Sequence, residues 1–270
     1  MARPRTRSLA VMLTALVTTA VAVLVHPAAA HAYPSGSGWS AYWSYNTANV
    51  AHLDAKIPGV DLHVFVDDTD SGHRYLTGQV SDTAADGSCA RVQIHGTLTG
   101  GQIEYTVCGS GLNHLFVDFT SAEPLLFVVQ RIPSGSTTVA SAADILLPSP
   151  ATDPGVGAVG TKAGWWYTSS VYYKFVLARS GVEVNGAGTH IPNQNARTVV
   201  AQVQNLNSLG CASASLSAGI TSTSRQACGT GTAQQLELPI AIGNINVNAC
   251  WRSSLSLSTR CLTTKIYAPN

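Results

Sequence analysis

Six cysteines, placed so that each has a partner just across a short turn, limit this 270-residue chain more than any other feature. Cys89 opens a strand-like run (90–98), Gly100-Gly101 supplies a turn, and Cys108 closes the return run (102–107). The two ends of an antiparallel hairpin lie side by side, within the distance a disulfide spans. Cys211 and Cys228 repeat the arrangement with Gly219 near the turn, and Cys250 and Cys261 flank a shorter hairpin over 251–260. Of the 15 connectivities open to six cysteines, local context selects Cys89–Cys108, Cys211–Cys228 and Cys250–Cys261. Each closes a small loop, so chain entropy gives roughly 2–3 kcal/mol apiece. Zinc ligation by these cysteines is disfavoured, because no C-x-x-C occurs and no histidine sits at ligand spacing from a cysteine pair.

Disulfides need an oxidising compartment, and the N-terminus supplies a route to one. Arg3, Arg5 and Arg7 precede an apolar run from Leu9 to Val25, and small residues lead to Ala30-His31-Ala32. This is the order of a secretory signal peptide, so residues 1–32 are expected to be removed after Ala32. No stable membrane insertion is expected after cleavage, although the apolar run approaches the roughly 18 residues of a spanning helix. The remaining chain keeps 12 basic and 14 acidic residues, a formal net charge of −2. So near neutrality, counterion release from phosphates offers little, which makes nucleic acid a poor partner.

A remaining length of about 238 residues suits one large or two small all-β domains. Val, Thr and Ser are abundant and 24 glycines are present, favouring short strands with tight turns. The one helical suggestion is a turn or two over Thr47–Ala55, from Val50, Leu53 and Asp54. Alternation marks 60–66 as a half-buried strand, followed by 75–80, 91–98, 103–107, 114–119 and 125–132. Farther on, strands are expected over 165–168, 171–178, 198–204, 212–220, 234–242, 251–258 and 262–267.

The cysteine contexts recur. Gln79-Val80, Cys89-Ala90 and Cys108-Gly109-Ser110-Gly111 are answered by Gln202-Val203, Cys211-Ala212 and Cys228-Gly229-Thr230-Gly231, at offsets of 123, 122 and 120. Gly38-Trp39 and Gly164-Trp165 match at an offset of 126. The prolines of Pro148, Pro150 and Pro154 interrupt any strand or helix. The fold expected is therefore all-β, as two tandem, duplicated, disulfide-stabilised antiparallel sandwich-like domains. They run over 33–147 and 161–270, joined by a Pro/Gly linker at 148–160.

Two groups of residues are candidates for ligand contact. Asp67, Asp68 and Asp70 precede Gly72, and Asp82 and Asp86 precede Gly87 in a second acidic turn. Converging oxygens in such loops suit calcium, while Asp and Gly are also ordinary turn residues. The aromatic clusters around Trp39, Trp43, Trp165 and Trp166 are candidates for stacking on sugar rings, with core packing as the alternative. No hydrolase, metalloprotease or nucleotide-binding motif is present.

The segment Gly78-Gln79-Val80-Ser81-Asp82-Thr83-Ala84-Ala85-Asp86-Gly87-Ser88-Cys89-Ala90-Arg91-Val92 resembles one found in small secreted actinobacterial β-rich proteins of the Streptomyces type. There a strand, a D-T-x-A-D-G turn and a Cys-initiated strand recur. The resemblance implies a Gram-positive, secreted, β-rich protein and transfers no active site. The second half carries Asn205-Leu206-Asn207-Ser208-Leu209-Gly210 instead of that turn. These readings point to an extracellular, non-enzymatic binding or structural protein associated with polysaccharide or the cell wall. The alternatives are a secreted hydrolase with an unfamiliar site, or a hydrolase inhibitor presenting the loop Gly109–Asn113.

Overall fold

The computed structural model describes residues 39–266 apart from 71, 154, 170, 192–195 and 257. The leader expected over residues 1–32 and its cleavage site lie outside the described residues. Among the described residues there are eighteen strands and no helix. The first nine are β1 (Ser40–Thr47), β2 (Val50–Ile57), β3 (Val60–Asp67), β4 (His73–Asp82), β5 (Ser88–Gly96), β6 (Gln102–Cys108), β7 (Asn113–Ser121), β8 (Leu125–Pro133) and β9 (Ser141–Leu147). The second nine are β10 (Lys162–Tyr167), β11 (Tyr172–Arg179), β12 (Val182–Ile191), β13 (Ala196–Asn205), β14 (Gly210–Ala218), β15 (Thr221–Cys228), β16 (Ala233–Ile242), β17 (Ile245–Ser253) and β18 (Thr259–Ile266).

Period-two burial makes most of these strands. Val60, Leu62, Val64 and Val66 are buried along β3, and Ala212, Ala214, Leu216 and Ala218 along β14. The helical turn expected over Thr47–Ala55 is absent. Asn49 adopts a positive φ of 62° in the turn between β1 and β2, and β2 then sends Ala51, Leu53, Ala55 and Ile57 into the core. Pairing with strands on both sides overrides a weak local pattern. The strand expected over 251–258 is displaced for a similar reason: β17 starts at Ile245, where Asn246 and Val247 pair with β14.

The strands form three antiparallel sheets. Ten of them make one sheet in the order β16-β13-β12-β11-β10-β1-β2-β3-β4-β7, and two four-stranded sheets have the orders β6-β5-β8-β9 and β15-β14-β17-β18. Both small sheets pack on the same face of the large one, the first over β1–β4 and the second over β10–β13. One continuous apolar core fills the space between. Among the described residues no strand covers the opposite face of the ten-stranded sheet, here called the open face.

All three expected disulfides are formed, at directly paired hairpin positions with Cα–Cα distances of 4.2, 4.2 and 4.0 Å. The halves expected as separate sandwiches share a sheet, because β1 pairs with β10 from Ser40↔Trp166 to Ser44↔Lys162. Bonds from Tyr45 N to Thr161 O (2.8 Å) and from Tyr167 N to Trp39 O (3.0 Å) extend this seam at both ends. Gly164 faces Tyr42 there, and a Cβ on it would stand 2.5 Å from the Ala41 carbonyl oxygen and the Tyr42 Cα. The Pro/Gly segment is docked against both halves. Pro148 O accepts from Arg74, Val156 is buried, and Asp153 holds Arg179 through bonds of 2.7 and 2.9 Å.

The strand order reads the same in both halves, each strand of β1–β9 standing where its counterpart nine strands later stands. Side chains repeat as well. Trp43 meets Tyr45 edge to face at 6.1 Å, and Trp165 meets Tyr167 likewise at 6.1 Å. The counterpart of Trp165 is therefore Trp43, an offset of 122, and the match of Trp39 with Trp165 at 126 was four residues out of register. Gly59 and Gly181 repeat too, accepting from Thr83 N and Leu206 N at 3.1 and 3.0 Å.

The halves differ at a buried charge. Arg74 is fully buried, and its Nε donates to Asp68 at 2.6 Å and its Nη2 to Asp68 and the Tyr45 hydroxyl at 3.0 and 3.2 Å. Its counterpart Arg197 is equally buried, yet its Nε and Nη2 find no partner and His190 stands where Asp68 stands in the first half. Burial lowers the pKa of Arg197. Removing one member of a buried pair costs about 3–5 kcal/mol, whereas exchanging a buried charge for an apolar side chain of similar volume is often neutral or stabilising. Asp68→Asn is therefore expected to lower the urea midpoint strongly, while Arg197→Met leaves it unchanged or raises it.

Candidate functional site on the open face of the central sheet

Burial divides the sequence-derived candidates. Trp39, Trp43 and Trp165 lie on the covered face of the central sheet, and Trp43 and Trp165 are only 2% and 0% exposed. They are core, because alternation along β1 and β10 turns them toward the two small sheets. Of the four tryptophans proposed as a sugar platform, Trp166 alone reaches the open face, half-buried between Ser40 and Lys174, with its Nε1 unpaired.

The acidic turns do not face each other. Asp67 pairs with Tyr75 at one end of the β3–β4 hairpin and Asp82 with Val60 at the other, seven residues or about 23 Å apart along the strands. The carboxylates are also engaged. Asp67 accepts from Thr69 N, Asp68 holds Arg74, and Asp70 accepts from Gly72 N at 2.8 Å. Asp82 accepts from Ala84 N at 3.1 Å and Gly109 N at 2.8 Å, and Asp86 from Ser88 N and Arg131. Asp82 thereby pins the Gly109–Asn113 loop, where Gly109 and Gly111 have φ of 121° and 77°. These aspartates shape turns and hold arginines.

What the structure assembles instead lies on the open face. Because β1, β2 and β3 turn their odd-numbered apolar residues or their counterparts inward, Tyr42, His52, Asp54, Asp61, His63 and Phe65 all point outward. Register places Tyr42 beside Asp54 and Asp54 beside His63. Asp54 Oδ1 contacts His63 Nδ1 directly and lies 3.3 Å from His52 Nε2. The other nitrogen of His63, Nε2, is 3.4 Å from Asp61 Oδ1. The His52 ring stacks on Phe65 at 4.5 Å with planes 10° apart, which fixes its orientation. Although Asp54 is buried, its Oδ2 has no partner.

Electrostatics follow from that arrangement. The hydrogen bond to Asp54, joined by that to Asp61, raises the His63 pKa from 6.5 to about 10. Burial would raise the Asp61 carboxyl, but His63 and Lys56 pull it below its ordinary value. Burial is also the main cause of the raised Tyr42 pKa. Sequence reading misses this group because Asp54 falls in the segment read as a helical turn and the two histidines stand on different strands. The signal available was His52-x-Asp54 on one strand with His63 on the next, legible once β2 is read as a strand.

Flanking the group, Phe65, Tyr75 and Phe119 on β3, β4 and β7 are exposed, as is Tyr172 on β11. His73 lies 6.0 Å from Phe119 and 6.5 Å from Tyr75. The open face thus carries aromatic rings on both sides of a His/Asp row. A second concavity, the cleft where the β8–β9 side meets β17 and β18, is lined by Leu126, Asp144, Asn246 and Lys265 over Trp43. At about 250 Å³ it falls short of the roughly 300–1,000 Å³ of small-molecule sites.

Because folding raises the His63 pKa above its unfolded value of 6.5, the stabilisation is complete below pH 6.5 and is lost as pH rises through about 10. In an NMR titration His63 should titrate far above an ordinary histidine, and Asp54→Asn should bring its midpoint back toward 6.5. No known protein family matches the sequence, and comparison with curated proteins gives no match.

Proposed function

We propose that this chain is a secreted, non-catalytic binding protein whose ligand, a polysaccharide or cell-wall surface, lies along the open face of the ten-stranded sheet. The observation that carries the reading is the display of aromatic rings there. Phe65, Tyr75, Phe119 and Tyr172 are 42%, 47%, 63% and 57% exposed on rigid paired strands. A sheet holds such rings at fixed spacing, so little conformational entropy is lost when a flat sugar ring stacks on them. Export agrees with the leader pattern in the sequence and with three disulfides, which persist in oxidising compartments. No helix among the described residues is long and apolar enough to cross a membrane.

Co-sedimentation with insoluble cell-wall and plant polysaccharides, beside a broad hydrolase screen, tests the reading. Tyr75→Ala combined with Phe119→Ala should strongly reduce retention, since it removes two of the four exposed rings on which a sugar would stack. Their exposure means that the fold should be kept. Retention that survives the double substitution, or turnover of any polysaccharide, would overturn the reading.

A further inference from the structure

We propose that His52, Asp54 and His63 bind a divalent transition-metal cation, with zinc(II) as the representative, leaving one coordination position open to solvent. The proposal goes beyond the aromatic reading of the same face and does not depend on it.

Three donors converge. One donor atom from each of His52, Asp54 and His63 lies within 4.8 Å of the other two. Tetrahedral zinc with bonds of about 2.0–2.1 Å sets its ligands roughly 3.3 Å apart; His52 Nε2 stands 3.3 Å from Asp54 Oδ1, and the ion would take the place of the proton that His63 Nδ1 shares with Asp54 Oδ1, releasing it to solvent and parting the two atoms. Two imidazoles and one carboxylate select zinc, copper or nickel over calcium, which takes six to eight oxygens. Three protein donors with an open fourth position are the arrangement of zinc sites that meet an external ligand.

The surroundings match what holds metal ligands elsewhere. A ligating histidine usually donates its remaining ring N–H to a carboxylate, which fixes the tautomer and strengthens the donor. Asp61 Oδ1 occupies that place, 3.4 Å from His63 Nε2. His52 is held by its stack on Phe65. Asp54 is sequestered with an unpartnered Oδ2, a costly condition for a carboxylate that a cation relieves. The site belongs to the first half alone, because Lys174, Val176 and Asn185 occupy the corresponding positions on β11 and β12.

Isothermal titration of the disulfide-intact full chain with zinc(II) should show one site, and calcium(II) should show none there. His52→Gln, Asp54→Asn and His63→Gln should each weaken zinc binding by at least roughly tenfold, with the β-sheet circular dichroism unchanged. Cobalt(II) should give the intense visible absorption of a four-coordinate ion, lost in the same variants. Absence of zinc binding, a stronger response to calcium, or zinc binding untouched by all three substitutions overturns the proposal. Asp61→Asn separates ligand from support: it should weaken zinc binding less than Asp54→Asn, and an equal or greater loss would place the metal elsewhere.

Discussion

The backbone seam between β1 and β10 is the contact on which the rest of the architecture rests. Without it each half would be a five-stranded sheet covered by a four-stranded one, with β1 or β10 as an unpaired edge. Edge strands expose donors and acceptors that invite foreign pairing. Antiparallel pairing of the two edges closes both at once and merges two sheets into ten strands. The close approach of Gly164 to Tyr42 shows how tightly that line is drawn. The docked Pro/Gly segment seals one end of it, through Gly160 N to Tyr45 O at 2.9 Å.

Merging the sheets has a geometric result for function. Each small sheet covers its own half on one side, so the other side becomes a single uninterrupted surface spanning both halves. Strand alternation then sorts the chemistry. Trp43, Trp165 and most aliphatic residues go under cover, while His52, His63, Asp54, Asp61, Phe65 and Trp166 go to the other face. The halves share strand order but differ in charge. The first keeps Asp68 against Arg74 and gathers Asp54 with two histidines, while the second buries Arg197 without an acid and has lysine, valine and asparagine on the face. The clustered histidines and aspartates thus belong to one half of a scaffold whose two halves otherwise match in strand order.

Much of the fold was legible in the sequence, for reasons that are local. The three disulfides followed from cysteines at hairpin ends, and β3 from strict alternation over Val60–Val66. The turn geometry at Gly109 and Gly111 was written in glycines. What was not legible depended on distant partners. β2 looks faintly helical alone, and only pairing with β1 and β3 decides it. The seam joins residues more than a hundred positions apart, and no pattern within either half announces it. The site suffered in the same way. Asp67 to Asp70 drew attention as a contiguous acidic run, although their oxygens serve turns and Arg74. His52, Asp54 and His63 gain meaning only through register. Tryptophan content marked Trp39, Trp43 and Trp165, which hydrophobicity placed in the core, and left Phe65, Tyr75 and Phe119 unremarked.

The seam also sets an order of assembly. The disulfide hairpins join cysteines 19, 17 and 11 residues apart, so each can close once its own two strands are together in an oxidising compartment. β1 must wait for β10, and Tyr42 for Gly164, until about half of the chain has followed it. Throughout that interval the nascent first half presents a bare strand edge with Trp43 and Tyr45 on its inner side. Loop-closure entropy makes so distant a pairing slow. The stage most open to foreign pairing is therefore the one before β1 meets β10.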